Sequence, residues 1–447
     1  MSSWKKVTLE EISESINTGL DAIRRAPIVD FETDIKCLRI QDISQNKPIE
    51  SWGFTEVKNT DYSKFRLMKD DIIMARTCST GICFLAKQDL PAVFNNGLAR
   101  IRLKKDIAYP TYVYYVFKSK SFISYIDGIS GGTSVQLNMK IGDLSKYSFD
   151  LPPLNIQKEI ANKLSDLDKK IQLNTQINQT LEQIAQTIFK SWFIDFDPVH
   201  AKANALASGQ TAEQATQAAM AVISGKNTQE LHRLQTANPE QYQQLWEIAE
   251  AFPSGVDEEG VPWGWEEKPL DEIAIYQNGL ALQKFRPESE DEYLPVVKIA
   301  QLKQGYADAE EKASVNIKPE CIIDNGDVIF SWSGSLVVDI WCGGKAALNQ
   351  HLFKVTSKNY PKWLYYFYTV HHLAEFQRIA ADKAVTMGHI KREHLSQALC
   401  VIPDNEFIQK FCFLEDYISQ IVNNRLQNVS LRKTRDQLLP KLLSGEV

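Results

Sequence analysis

The chain of 447 residues repeats its own sequence, and this repeat limits its architecture more than any single motif does. The segment LPPLNIQKEI at 151–160 and the segment VIPDNEFIQKF at 401–411 share a proline after an apolar residue, a short polar stretch and Ile-Gln-Lys. Four further pairs of segments match in the same order: 4–20 with 265–280, 38–43 with 297–302, 69–81 with 325–335, and 109–117 with 360–368. Five matches in one order indicate a tandem duplication.

The duplication predicts five segments. Each copy mixes short β-like runs with helical patterns and ends in a long helix, so the predicted class is α+β. The boundaries are a first globular domain at 1–151, a central helix at 152–199, an acidic Ala/Gln-rich insert with its linker at 200–262, a second globular domain at 263–403, and a C-terminal helix at 404–447.

Composition excludes several classes of protein. Hydrophobic residues make up 44% and charged residues 24%, as in globular chains. No apolar run reaches the roughly 18–20 residues of a membrane span, and no signal peptide is apparent at the N-terminus. Seven cysteines without CxxC pairs favour reduced thiols in a cytoplasm.

The charge of the chain bears on whether nucleic acid is its partner. A net charge of −6 at first argues against DNA, because DNA-binding domains are usually basic. Residues 1–150 nevertheless carry 21 Lys/Arg against 18 Asp/Glu, while 200–262 carry 3 against 8 and 263–403 carry 15 against 18. A DNA-binding role therefore requires locally placed basic residues or a basic partner.

Both long helices carry a heptad pattern, which is typical of a coiled coil. The first pattern consists of Ile160, Leu164, Leu167, Ile171, Asn174, Asn178, Leu181, Ala185, Ile188 and Trp192. The second consists of Leu414, Tyr417, Ile421, Asn424, Asn428, Leu431, Leu438 and Leu442, with Lys410 and Arg435 interrupting it. Forty residues of helix span roughly 60 Å.

Two asparagines lie in the middle of each pattern, 250 residues apart between the copies. A solvated polar patch is one interpretation. Buried asparagines that set the register of the helix pair are the other, and we prefer it because both copies place them at the same depth. A duplicated chain pairs most readily about a two-fold axis. We therefore predict antiparallel helices in which Asn174 and Asn178 face Asn424 and Asn428, joining two globular domains into a pseudo-two-fold tandem repeat.

The order of these parts resembles the specificity subunit of type I restriction–modification enzymes. The resemblance covers essentially the whole chain and includes the helix entrance LPPLxxQKxI, the turns DDIIMART and GDVIFSW, and the segment KSWFIDFDPV at 190–199. The acidic insert and the single proline of the second entrance depart from the simplest family pattern. The insert is left without an assigned role, and docking of a partner is only one possibility.

The resemblance implies a function and a set of partners. Two target-recognition domains would each read half of a bipartite, asymmetric site in double-stranded DNA, and the helices would set the unread spacer. Two methyltransferase subunits and restriction/motor subunits would dock on this chain. It implies a bacterial or archaeal cytoplasm and no membrane partner. This chain would bind no cofactor, and S-adenosylmethionine, ATP and Mg²⁺ would lie on the partner subunits.

Motifs of catalysis are missing from the sequence. Pro152-Pro153 follows Leu and not Asn, so it does not form the Asn-Pro-Pro-aromatic motif of an adenine methyltransferase, and no GxxxxGK[ST] stretch exists. The pair His371-His372 and Cys342 lack the spacing of a metal site or a catalytic nucleophile. The chain is predicted not to be an enzyme by itself. The alternative is a coiled-coil scaffold with two globular protein-binding ends.

Polar loops that end short apolar runs are the candidate DNA contacts. Arg can bind guanine, and Asn or Gln can bind adenine, through two hydrogen bonds. In the first copy the candidates are Arg76, Thr77, Ser79, Thr80, Asn95, Asn96, Thr133, Ser134, Gln136, Asn138 and Lys140. In the second they are Trp332, Ser333, Ser335, Asn349, Gln350, His351, Thr386, His389, Lys391 and Arg392. Lys140, Lys391 and Arg392 suit phosphate. Half or more of these loops could be ordinary surface turns, and the aromatic runs at 109–117 and 360–368 fit core packing better than base stacking.

Overall fold

A computed structural model describes residues 4–130, 138–289, 292–382 and 388–446. The chain divides into two compact units, Met1–Ile171 with Ser430–Val447, and Gln172–Val429. We call them unit 1 and unit 2. Unit 1 holds the first copy of the repeat, and unit 2 holds the second copy and the insert.

The described residues of the first copy form three small sheets. Lys5–Thr8 pairs antiparallel with Ser148–Leu151. The second sheet has the order Ser13–Thr18, Leu98–Leu103, Ile72–Ala75, Cys83–Leu85, and the third has the order Ile28–Val29, Gly53–Thr55, Lys36–Leu38, Ala92–Phe94. The pair Lys36–Leu38 and Ala92–Phe94 is parallel.

Short helices connect and cover these sheets. They are Leu9–Ile12, Ile40–Ser44, the 3₁₀ turn Ile49–Ser51, Asn59–Phe65, Pro110–Val116, Lys120–Ile129 and Ile141–Leu144. Pro110 begins its helix at the position where a missing N–H costs no hydrogen bond. Tyr112 and Tyr115 of this helix are buried, so this aromatic run contributes to the core, as predicted.

The second copy repeats the first two sheets and the parallel pair of the third, but the edge strand of its third sheet lies on the opposite side. Glu266–Pro269 pairs with Leu399–Ile402. The second sheet has the order Ile275–Asn278, Leu352–Thr356, Val328–Ser331, Val338–Ile340, and the third has the order Lys312–Ala313, Leu294–Val297, Ala346–Leu348, Ile322–Ile323. The helical segments are Leu270–Ile273, Leu282–Lys284, Ile299–Gln304, Pro319–Cys321, Lys362–Asp382 and Arg392–Gln397. The first two sheets and the parallel pair of the third correspond between the copies, and this shared topology confirms the duplication.

One glycine in each copy allows two backbones to touch. Leu20 forms a parallel bridge with Asn95, and Leu280 forms the same bridge with Asn349. A Cβ on the preceding Gly19 would lie 2.2 Å from the carbonyl oxygen of Asn95, and one on Gly279 would lie 2.3 Å from that of Leu348. Glycine therefore precedes leucine in both copies because a side chain would not fit there.

The long helices run antiparallel. They span Leu154–Phe189 and Phe413–Ser444; a π-helical turn at Lys190–Ile194 extends the first, and a short helix at Asn405–Lys410 precedes the second. In unit 1, Leu164 shares a core with Leu439 and Leu442, near the end of the second helix. In unit 2, Phe189 shares a core with Leu414, near its start.

The two helix entrances differ despite their shared letters. Gln157 is fully buried, accepts a hydrogen bond from the amide of Tyr109 at 2.7 Å, and donates to the carbonyls of Ile107 and Pro152. Gln409 is exposed. The Ile-Gln-Lys letters lie 252 residues apart whereas the asparagines lie 250 apart, so the matching glutamines do not occupy matching helical positions.

The insert contains four helices, Asp197–Ala207, Ala212–Ser224, Thr228–Ala237 and Pro239–Ala251. Met220, Leu231 and Ala249 lie in a small core of its own. The buried Lys202 donates to the carbonyls of Ala249, Glu250 and Phe252 at the end of the last helix. Helix formation at 200–225 agrees with the Ala/Gln-rich composition. Within the described ranges, no helix is both long and apolar enough to cross a bilayer.

Candidate nucleic-acid interface

Three polar loops meet at one edge of the first copy. One follows strand Ile72–Ala75, one joins Ala92–Phe94 to Leu98–Leu103, and one precedes helix Ile141–Leu144. Thr77 bridges to Asn138, and the N–H of Met139 donates to the carbonyl of Arg76 at 2.8 Å. The candidates that the sequence placed on separate segments are thus brought together.

Arg76 joins all three loops. Its Nη1 donates to the carbonyl of Asn96 at 3.2 Å, its Nε to the carbonyl of Met139 at 3.3 Å, and its Nη2 to Oδ1 of Asn138 at 3.2 Å. Asn96, Asn138 and Lys140 are exposed, whereas Thr77, Ser79, Thr80 and Asn95 are partly buried. The side chain of Asn95 accepts a hydrogen bond from the N–H of Gly97 and so shapes its own turn.

The second copy brings its three corresponding loops together in the same way. Ser333 bridges to His389, and the N–H of Ile390 donates to the carbonyl of Trp332 at 3.0 Å. The indole Nε1 of Trp332 donates to the carbonyl of Gln350 at 3.2 Å, and its ring lies 5.8 Å from that of His351. Trp332 thus occupies the position that Arg76 has in the first copy.

A short hydrogen-bonded chain lies inside this second cluster. Oγ of Ser333 lies 2.9 Å from Nδ1 of His351, and Nε2 of Gln350 lies 3.3 Å from Nε2 of the same ring. An amide nitrogen can only donate, so His351 accepts at Nε2 and donates from Nδ1 to Ser333 in this arrangement. The buried Asn349 accepts from the N–H of His351, as Asn95 does from Gly97.

The remaining candidates have separate environments. Lys391 is exposed and pairs with Glu393 at 3.2 Å. Arg392 donates to the carbonyl of Tyr276 at 3.1 Å and lies over the ring of Phe353, so part of its binding capacity is used within the protein. Ser335 and His389 are exposed. Four candidates lie outside the described residues, namely Thr133, Ser134, Gln136 and Thr386.

One exposed loop beside the cluster was missed by the sequence analysis. It follows Leu20, which bridges to Asn95, and Oδ1 of Asp21 accepts hydrogen bonds from the amides of Ile23 and Arg24. Ile23 is 84% exposed at its tip. The sequence feature that could have indicated this loop is the matched Gly-Leu block. In both copies, basic and apolar residues follow that block.

The asparagines of the long helices face each other within unit 2. Nδ2 of Asn174 donates to Oδ1 of Asn428 at 3.0 Å, and Nδ2 of Asn424 donates to Oδ1 of Asn178 at 2.8 Å. All four are buried. Asn174 corresponds to Asn424 in the repeat, and Asn178 corresponds to Asn428, so exchanging the two copies converts one layer into the other. This is the arrangement that a two-fold axis produces.

Charged side chains also connect the helices to their surroundings. In unit 2, Arg425 pairs with Asp339 at 2.6 Å and with Glu182 at 3.0 Å. In unit 1, Arg435 pairs with Asp168 at 2.7 Å. Burial by itself would raise the pKa of Asp168, but Lys118, Arg435 and the hydroxyl of Tyr115 together lower it below its usual value. Arg435, which interrupts the heptad pattern, thus forms an ion pair with the other long helix.

The residues considered for catalysis are in environments that suppress reactivity. Burial raises the pKa of the Cys342 thiol, which favours the protonated form. Burial lowers the pKa of His372 to about 4, and its Nε2 lies 3.1 Å from the carbonyl oxygen of Leu399. Across the described part of the chain, no group of three or more His, Cys, Asp or Glu side chains is placed to hold a metal ion.

Known proteins are similar in sequence to this chain. A family model described as the type I restriction modification DNA specificity domain matches residues 1–183 and 262–430. The type I restriction enzyme HindI specificity subunit of Haemophilus influenzae is 29% identical over 471 residues and is aligned over 100% of both chains. The MjaIX specificity subunit of Methanocaldococcus jannaschii is 26% identical, over 85% of this chain and 78% of that protein.

A solved structure has the same fold. The type I restriction–modification S subunit from M. genitalium superposes with a TM-score of 0.53 and 13% identity, covering 98% of this chain and 96% of that chain. At this level of identity the similarity concerns the fold.

Proposed function

Because the chain belongs to the family of type I restriction modification DNA specificity domains and matches that domain twice, we propose that its two copies read the two halves of a bipartite, asymmetric DNA site. DNA specificity defines the family, so the chain is a recognition component and not a catalytic one. The first copy reads one half-site and the second copy reads the other.

The loop clusters carry this proposal. Both copies gather three polar loops at corresponding strand ends, but the accessible side chains differ: Asn96 and Asn138 in the first, Gln350 and His389 in the second. Equal scaffolds with unequal hydrogen-bonding groups suit a site whose halves share geometry and differ in sequence. A scaffold that binds proteins through its ends would not require an amide side chain at the tip of the middle loop in both copies, where Asn96 and Gln350 lie.

Partner subunits complete the proposed complex. Two methyltransferase subunits and restriction/motor subunits dock on this chain and bind S-adenosylmethionine, ATP and Mg²⁺. The net charge of −6 fits this division, because partners can supply much of the phosphate contact. DNA binding is expected to be weak for the chain alone and tight with its methyltransferase.

Modification mapping tests the proposal. The chain is expressed with its methyltransferase partner in a host that lacks methylation, and genomic DNA is sequenced by a single-molecule method that detects methylated adenine. We expect one bipartite motif with an unread spacer, present only when this chain is supplied. A motif that persists when the chain is omitted, or methylation without sequence preference, would favour the protein-binding scaffold.

A further inference from the structure

We propose that Arg76 and Trp332 are positioning residues for base recognition, each holding the three loops of its copy at a fixed spacing while other side chains read the bases. This inference rests on the proposed function and assigns a role within it. It separates the residues that hold the recognition surface from the residues that contact DNA.

The backbone places both residues at the same point. The N–H of Arg76 donates to the carbonyl of Gly97 at 3.0 Å, and its own carbonyl accepts from Met139 at 2.8 Å. The N–H of Trp332 donates to the carbonyl of His351 at 3.3 Å, and its carbonyl accepts from Ile390 at 3.0 Å. Each residue therefore lies between the other two loops and binds both.

The side chains then make one contact in common. Nη1 of Arg76 and Nε1 of Trp332 each donate, at 3.2 Å, to the carbonyl of the residue that follows Asn95 or Asn349. A guanidinium and an indole have little else in common, so the shared contact identifies what this position does. It fixes the carbonyl at the tip of the middle loop.

Direct base reading is disfavoured for both residues. A bidentate contact to guanine needs two N–H groups on one side of a guanidinium. Each of the three nitrogens of Arg76 already donates to an acceptor in the adjoining loops, so three of its five N–H groups are used in holding those loops. Trp332 has a single side-chain N–H, which binds the carbonyl of Gln350. A base contact made through these same hydrogen bonds would require either residue to release the loop it holds.

We assign base reading to the side-chain amides next to these two residues. Asn138 receives a hydrogen bond from Arg76 at its Oδ1, which leaves its own amide N–H groups for DNA. Gln350 is held at its carbonyl by Trp332 and at its side-chain nitrogen by His351. Loss of the tether would therefore change every base contact of that copy at once.

The test compares variants of the full chain, each purified with its methyltransferase partner, in selection from a library of random duplex DNA. Arg76→Ala should reduce discrimination between cognate and mismatched bases about tenfold or more at all positions of one half-site, since several hydrogen bonds of a charged group are removed. The other half-site should remain unchanged. Trp332→Ala should have the reciprocal effect.

Exchanges between the copies separate positioning from reading. Arg76→Trp supplies the N–H donor that the second copy uses, and it should recover discrimination relative to Arg76→Ala without changing the preferred bases. If Arg76→Trp instead loses preference for guanine at one position and keeps all others, Arg76 is a base reader and the inference is wrong. Trp332→Phe keeps an aromatic ring and removes the donor, and it should resemble Trp332→Ala.

Two controls keep the outcomes distinct. Thermal unfolding of each variant identifies a general folding defect, and if Arg76→Ala does not fold, Trp332→Phe carries the same test with a smaller change. A wild-type complex that selects no sequence contradicts the proposed function itself. A wild-type complex that selects a site, with Arg76→Ala and Trp332→Phe selecting the same site equally well, contradicts only the positioning role.

Discussion

The side-chain amide of Asn174 donates to Oδ1 of Asn428 at 3.0 Å, in a buried layer between the two long helices, although these two residues lie 254 positions apart in sequence. The same nitrogen reaches Oε1 of Gln427 at 2.7 Å. Asn178 and Asn424 form the corresponding layer. A shift of one helix along the other would bury these amides without partners, so the layers favour one register.

A double-mutant cycle on Asn174 and Asn428 tests this relationship. Asn428→Ala leaves a buried donor short of a partner and should lower the free energy of unfolding by about 1–3 kcal/mol. Replacing both residues by Leu should cost less than the two single changes together, because no polar group is then left unpaired. Asn423→Ala, at an exposed position of the same helix, should change stability by less than about 0.5 kcal/mol. Additive single effects in denaturant titrations would contradict the pairing.

The ion pair of Asp168 and Arg435 should make stability depend on pH in the acid range. The pKa of Asp168 is lowered in the folded protein, so its stabilisation is complete above the ordinary value of 3.8 and is lost as the pH falls through the lower folded value. Arg435→Met should cost about 1.5–3 kcal/mol at neutral pH and progressively less below pH 3.8.

Lys169→Met provides the matched control for that ion pair. Lys169 pairs with Asp166 at 2.9 Å, but both side chains are largely exposed, so the change should have almost no effect on the melting temperature. A cost of Arg435→Met that stays constant as the pH is lowered would mean that the destabilisation comes from packing and not from the ion pair.

Gly19 should tolerate no side chain. Gly19→Ala brings a Cβ within 2.2 Å of the carbonyl oxygen of Asn95 and should destabilise the protein by about 1–3 kcal/mol through a forced backbone shift. Gly128→Ala, in the helix Lys120–Ile129 and with open space around it, should instead stabilise by up to about 1 kcal/mol. Thermal melts of both variants provide the comparison. Equal effects of the two changes would show that the close approach has no energetic importance.

The accessible amides should bind bases independently in the two copies. Asn96→Ala should weaken specific binding by about 1–3 kcal/mol for each base that its side chain recognises, and Gln350→Ala should do the same at the other half-site. Competition titrations with single-mismatch duplexes measure both effects. Asn59→Ala, at an exposed residue of the helix Asn59–Phe65, should leave affinity unchanged. Wild-type affinity and an unchanged recognised sequence in both variants would place the reading surface elsewhere.

Much of the architecture was predictable from the sequence because it is encoded in local or periodic signals. The duplication, the α+β class, the long helices and their antiparallel pairing follow from matched segments and from heptad spacing of apolar residues. The asparagine positions were predictable for the same reason, since helical periodicity places them on the seam without reference to other parts of the chain. The aromatic runs were correctly expected in the core.

Which polar residues meet could be learned only from the folded chain. Arg76 and Trp332 share no chemical resemblance, and their equivalence depends on hydrogen bonds to loops that are 20 or more residues away for Arg76 and 18 or more for Trp332. Conversely, the two helix entrances place identical residues in different environments. Gln157 is buried against the start of a neighbouring helix, whereas Gln409 is exposed. Periodicity reports which face of an element is apolar, whereas the partner of a polar side chain depends on long-range packing. The repeated scaffold is therefore encoded in local sequence, and the way its loops are held together is set by contacts between distant segments.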